Sequence, residues 1–234
     1  MQRYFLAPHV YSCVTDDHVV LLDLQRDKYV GVGRDQMGPL AARVSGWPSA
    51  AEPDSRPNAR TDAVLAKMLD AGMLTTDPAI GKEARPIQVP RPDQPLAQPD
   101  LESRPVVTPL HVLRFLLASA VTALALRLRG IDSVIAKVRS RKARRASSSV
   151  DLDAARAATE AYIRLRPLLF GAQDACLYDS LALVRFLSYY DLFPTCVIGV
   201  QTGPFCAHCW VQEGAVVFND VPEYVRRFTP ILAV

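Results

Sequence analysis

Eight prolines between Pro78 and Pro109 constrain this chain more than any other feature. Each lacks a backbone donor and holds φ fixed, so no helix and no central strand runs through the stretch. The expectation is an extended, poorly packed linker at residues 86–104, between a first domain at 1–85 and a second at 105–234. No internal repeat is visible, and two blocks of this size can each bury a core.

The first block opens with strand signals. Val19-Val20-Leu21-Leu22-Asp23-Leu24 is β-branched and apolar, and Lys28-Tyr29-Val30-Gly31-Val32 follows after three polar residues, which predicts a hairpin. A helix is expected over Asp35–Val44. A second, capped by Thr61 or Asp62, carries Val64, Leu65, Met68 and Leu69 on one apolar stripe and ends at Gly72. Met73-Leu74 then returns as a strand. Small strands followed by helices predict a winged helix-turn-helix. Its second helix has only Lys67 against Asp62 and Asp70, too few donors for phosphates and bases, so nucleic acid is not expected as a partner. The formal net charge of +3 supplies no general attraction either.

In the second block, Leu110–Leu128 and Asp151–Leu169 read as helices. Phe115–Leu126 is uncharged for twelve residues. A membrane span needs about 20, so a buried helix and no stable membrane insertion are expected. Arg127–Arg145 holds eight Lys or Arg and one acid, Asp132. Such a run is ordinarily a solvated face, although an anion or an acidic peptide would also suit it. Arg139–Ser149 is expected to be a loop.

The chemistry gathers near the C-terminus. Leu177, Leu181, Val184 and Leu187 have helical spacing, and Gly171-Ala172-Gln173-Asp174 supplies a turn with an acceptor, which puts Cys176 in a first helical turn. The positive end of a helix favours thiolate over thiol; Asp174 and Asp179 oppose this. Thr195–Val200 and Ala207–Gln212 read as strands, as does Ala215–Asp220 after a tight Glu213-Gly214 turn. Such a hairpin makes His208 and Asp220 neighbours. Cys176, His208 and Asp220 then have the form of nucleophile, base and orienter. Taken singly, each has a plainer role: a small buried hydrophobe, a satisfied strand histidine, a turn before Pro222.

Zinc competes for Cys206, His208 and Cys209, with Cys196 upstream. Strand alternation sends Cys209 to the face opposite the other two, so no metal is expected. The five cysteines are odd in number, and Met1–Val10 lacks an apolar signal core. A reducing cytoplasm with free thiols is the expectation, and a Cys206–Cys209 disulfide is not favoured.

Cys176-Leu-Tyr-Asp-Ser-Leu-Ala-Leu, Val197-Ile-Gly-Val, Gly203-Pro-Phe-Cys-Ala-His208-Cys-Trp-Val and Phe218-Asn-Asp220 resemble the lasso-peptide B protein family over residues 105–234. The resemblance implies an α+β chain whose C-terminal domain is a papain-like, transglutaminase-like cysteine protease with Cys176, His208 and Asp220 as its triad. It implies a leader peptidase that hydrolyses the leader–core bond of a precursor peptide, with a separate ATP-using lasso cyclase as partner. Residues 1–85 resemble the pyrroloquinoline-quinone D type of winged-helix module, which binds leader peptides by strand addition. Carried over, that implicates Tyr29, Val30, Gly31 and Val32 for backbone pairing and Leu65, Met68 and Leu69 for apolar pockets, although Leu65 and Leu69 also suit a core. With no Gly-rich phosphate-cradling loop, no cofactor is expected, and any nucleotide requirement is left open. Cys176 N–H is the first oxyanion donor expected, with Gln173 a weaker candidate for the second. An acyltransferase of the same fold and a noncatalytic precursor-binding scaffold are the rival functions.

Overall fold

A computed structural model describes residues 2–16, 18–48, 59–96, 107–145, 150–169 and 176–234. The chain forms two compact units. One comprises Met1–Gln88 with Val200–Cys206 and Thr229–Leu232; the other comprises Val89–Gly199, Ala207–Phe228 and Ala233–Val234.

In the first unit, β1 (Phe5–Leu6), β2 (Val10–Val14), β3 (His18–Asp23) and β4 (Lys28–Gly33) lead into α1 (Arg34–Ala41), α2 (Ala59–Asp70) and β5 (Leu74–Thr75). The order β2–β3–β4 is antiparallel, with Leu21 opposite Val30 and Leu22 opposite Tyr29. β5 returns against β1, pairing Leu74 with Leu6. The expected hairpin is present, but β1 and β2 were not anticipated; Val10-Tyr11-Ser12-Cys13-Val14 has β-branched and aromatic residues suited to a strand. α2 begins before both expected caps. Thr61 Oγ1 donates to Gln36 Oε1 at 3.0 Å, and Asp62 pairs with Arg43 at 3.2 Å, so each serves tertiary contacts from inside the helix. Gly72, at φ 64°, ends the helical region as its freedom at positive φ allows. Leu6, Val19, Leu21, Leu40, Leu65 and Met68 are among the residues that fill the core.

The C-terminal half comprises β6 (Gln94–Pro95), α3 (Pro109–Arg145), α4 (Leu152–Leu165), α5 (Cys176–Ser188), β7 (Thr195–Thr202), β8 (Phe205–Glu213), β9 (Val216–Val217), α6 (Pro222–Val225) and β10 (Thr229–Ala233). Its sheet has the order β10–β7–β8–β9–β6. Asp151 caps α4 by accepting from the N–H groups of Asp153 and Ala154. Phe115 of α3, Tyr162 of α4 and Phe186 of α5 are fully buried, and the Tyr162 ring meets both others in tilted or edge-on geometry.

Three expectations need correction. The end of the proline-rich stretch is packed: β6 pairs parallel with β9, Leu96 is 1% exposed, and Gln212 Nε2 donates to Pro90 O at 3.0 Å. Pro95 is tolerated because β6 is an edge strand, where a missing donor breaks no ladder. Residues 97–104 of that linker lie outside the described residues. Arg139–Arg145 continues α3 as helix instead of forming a loop, and residues 146–149 lie outside the described residues. Finally, α3 is not a wholly buried helix. Phe115, Ala118 and Thr122 are buried, while Leu113, Leu117, Leu124 and Leu128 are exposed, because one face alone packs against α4 and α5. By length and composition Pro109–Arg144 would suffice to cross a membrane. Gly130 interrupts it at φ 72°, ψ 172°, a conformation essentially confined to glycine.

Candidate active site

Cys176 is the first described residue of α5 and is half-buried. Asp174, expected to cap this helix, and Gln173, considered as an oxyanion donor, lie outside the described residues together with the rest of the Gly171–Asp174 turn. His208 sits mid-strand in β8. The β8–β9 register places Gln212 opposite Val217, and Gly214 turns the hairpin at φ 55°. The expected strand to Asp220 stops at Val217. Beyond it, Phe218 N–H still donates to Val211 O, but the Asn219 side chain replaces the next backbone partner by accepting from Val211 N–H at 2.8 Å. That departure from the ladder frees Asp220 to turn toward the histidine.

His208 Nε2 and Asp220 Oδ2 are 2.6 Å apart, and Asp220 Oδ1 accepts from Val221 N–H at 2.7 Å. The carboxylate is thus fixed through both oxygens. The Cys176 thiol interacts with the same imidazole. Burial pushes the thiol up, but His208 and the backbone N–H groups of Cys209 and Leu177 outweigh it, so Cys176 ionises below its ordinary range. Burial pushes His208 down; Asp220 and the sulfur overcome it and raise the imidazole to about 9. Both shifts run in the direction of a thiolate–imidazolium pair.

Two surrounding features escaped the sequence reading. Trp210 stacks alongside the His208 ring, Tyr224 meets it edge-on, and Phe228 lies 5.1 Å away, which holds the imidazole in one plane. The alternation of His208 and Trp210 in β8 hinted at the first contact; nothing local hinted at the others. Second, Ser180 Oγ donates to Cys209 O at 2.9 Å and accepts from Asn219 Nδ2 at 3.0 Å. These bonds tie the helix bearing Cys176 to the strand bearing His208 and to the residue before Asp220. Asp179, expected to oppose the thiolate, is buried against Arg166 at 3.2 Å and accepts from Tyr162 OH. Burial raises its pKa, and Arg166 and the Tyr162 hydroxyl oppose that rise.

Cys196 and Cys209 Sγ atoms lie 3.5 Å apart in the buried sheet, and all five cysteines are free thiols. Among the described residues no three His, Cys, Asp or Glu converge as metal ligands. In the first unit, β4 has β3 on one side and, among the described residues, no strand on the other. Val30 and Gly31 are exposed there, Tyr29 is half-buried and Val32 faces the core. Leu65 and Met68, implicated in apolar pockets, are instead 2% and 5% exposed inside the core; Leu69 is partly buried against it. Their stripe is consumed by packing within the domain.

Comparison with known proteins agrees with this architecture. Residues 116–233, about half of the chain, match the transglutaminase-like superfamily model. A segment of 56 residues is 47% identical to the microcin J25-processing protein McjB of Escherichia coli, covering 24% of this chain and 27% of that protein. No solved structure matches significantly. With half of its length matched and its C-terminal half in mixed helices and sheet, the chain belongs to the transglutaminase-like superfamily.

Proposed function

We propose that the protein is a cysteine leader peptidase of lasso-peptide biosynthesis, with Cys176 as nucleophile, His208 as acid and base, and Asp220 as orienter. The carrying observation is the 2.6 Å His208–Asp220 contact with the Cys176 thiol on the same imidazole. The similarity to the McjB processing protein and the superfamily match support the reading.

The Cys176 sulfur attacks the scissile carbonyl carbon, forming the C–S bond and an oxyanion. The Cys176 backbone N–H, at the helix start, is the proposed donor to that oxygen. Collapse breaks the C–N bond as imidazolium gives its proton to the leaving amine, which departs as the amino terminus of the core peptide. His208, now neutral, takes a proton from water, whose oxygen displaces sulfur from the thioester and restores thiolate and imidazolium. Asp220 keeps its charge throughout and holds the ring orientation.

The precursor leader is proposed to add as a strand to the outer edge of β4, at Tyr29–Val32, on a winged-helix recognition domain. Main-chain hydrogen bonds supply affinity there, and the exposed Val30 side supplies selectivity. Leu69 remains the available apolar contact from α2. Tethering the leader raises the local concentration of the cleavage site, so the peptidase pocket need not be highly selective. The freed amine is passed in the cytoplasm to a separate ATP-using lasso cyclase.

Incubating the protein with the small precursor encoded beside its gene tests this. Two fragments whose masses sum to precursor plus water are expected. An intact precursor would reject the peptidase, and transfer to an added amine without water would indicate an acyltransferase.

A further inference from the structure

Outside the site described above, the break in α3 creates a second chemical environment. Arg129 precedes Gly130, while Lys137 and Arg141 follow it on the second half of α3; Arg185 reaches the same place from α5. A hollow of about 200 Å³ is lined there by Arg129, Lys137 and Arg185 together with Leu124, Leu128 and Val134. An adjoining hollow shares Lys137, Arg185 and Val134 and adds Arg141. Among the described residues no Asp or Glu lines either.

These four cations take part in no ion pair among the described residues. Arg185 is held by its Nε–H, which donates to Thr122 Oγ1 at 3.2 Å, so its fork is oriented. Lys142 is committed elsewhere: it bonds Thr195 Oγ1 and faces Glu213. Lys137, although exposed, sheds its proton more readily than an ordinary lysine because Arg141, Arg185 and Arg129 repel it. A fold that aims like charges at one space without an acid leaves room for an anionic ligand to relieve the repulsion.

We infer that this hollow binds a phosphate-bearing ligand carrying at least two negative charges, with apolar Leu124, Leu128 and Val134 beside the phosphate. The cations arrive from three segments, the two halves of α3 and α5. A tetrahedral phosphate offers acceptors in all those directions, whereas a planar carboxylate offers them in one plane. The hollow is smaller than the ~300–1,000 Å³ of a typical drug-sized site, so the phosphate end is what it encloses. That end comes from a free phosphate compound or, given the exposed Leu113, Leu117, Leu124 and Leu128 on the same helix, from an anionic lipid headgroup.

The test uses the full chain in two arms: calorimetric titration with inorganic pyrophosphate, and co-sedimentation with vesicles of phosphatidylglycerol against phosphatidylcholine. The Lys137→Ala/Arg141→Ala double variant loses two mutually repelling charges and should fold; circular dichroism checks this. Arg144→Ala, an exposed cation that lines neither hollow, is the control. Saturable pyrophosphate binding that weakens about tenfold or more in the double variant alone supports the site with a free phosphate as ligand. Sedimentation with phosphatidylglycerol that the double variant alone loses supports it with a lipid headgroup. Absence of both, binding that survives the double variant, or equal loss in Arg144→Ala overturns it.

Discussion

Replacing Asp220 by asparagine preserves side-chain shape and removes its charge. In the native protein burial disfavours protonated His208, yet Asp220 and then Cys176 carry the imidazole from its ordinary 6.5 to about 9. That is a preference for imidazolium of about 3 kcal/mol, and the His208 side chain is only 13% exposed, so solvent screens little of it. Asp220 is the larger of the two contributors. Without it, burial is opposed by the sulfur alone and the imidazole pKa falls from about 9. The native pKa lies above the unfolded value. The stabilisation is therefore complete below about 6.5 and disappears as pH rises through about 9; in Asp220→Asn it is smaller and is lost at lower pH. Iodoacetamide alkylation across a pH series, with peptide mass mapping, reads the consequence at Cys176. Burial pushes the Cys13 thiol to about 12 and raises Cys209, whose sulfur also faces Cys196, and the peptide map separates Cys176 from the half-buried Cys206. Native Cys176 should react rapidly at neutral pH, and the variant should need a more alkaline buffer. Precursor cleavage should fall roughly 10²–10⁴-fold, as when other bases lose their orienting carboxylate. An unchanged alkylation profile, or a native His208 that titrates at 6.5 by NMR, would refute the reasoning.

Cys176→Ala should abolish precursor cleavage, read by fragment mass, while leader affinity stays within about twofold; surviving cleavage removes this residue from the mechanism. Tyr29→Lys should weaken leader binding measured by fluorescence anisotropy, and unaltered affinity rejects the β4 edge as the docking strand. Gly199→Ala places a Cβ 2.8 Å from Trp210 and 2.9 Å from Phe228, the rings beside His208. It should cost about 1–3 kcal/mol by urea unfolding and lower turnover with it; full stability would show that these rings have room to move. Ser180→Ala strands the Cys209 carbonyl and the Asn219 amide, with an expected loss of about 1–3 kcal/mol. Its turnover should fall further than that of a surface serine variant; equal turnover in the two would show that α5 is positioned by packing alone.

Local patterns carried the secondary structure wherever apolar period and punctuation agreed. The β3–β4 hairpin, the α2 stripe ending at Gly72, α5 beginning at Cys176 and the glycine turn into β9 all rest on neighbours within a few residues. They are legible because one face of each element must be buried and turns demand particular backbone angles. Where short-range cues were weak, the reading failed. Arg139–Arg145 looked like a loop by its charge, yet arginine, lysine and alanine are good helix formers and the helix continues through them. Gln94–Pro95 looked unpacked by its prolines, yet an edge position accepts them.

By itself the sequence determined which residues carry reactive groups and on which kinds of element each lies: a thiol at a helix start, an imidazole in a strand, a carboxylate past a hairpin. Tertiary structure alone decided that the Asp220 carboxylate and the Cys176 thiol both act on the His208 imidazole. It also recruited Tyr224 and Phe228 to the imidazole, spent Leu65 and Met68 on a core, and turned four cations toward two adjoining hollows. The reason is that periodicity reports only how an element faces burial. Which partner it meets depends on strand register and helix packing summed over residues far apart in the chain.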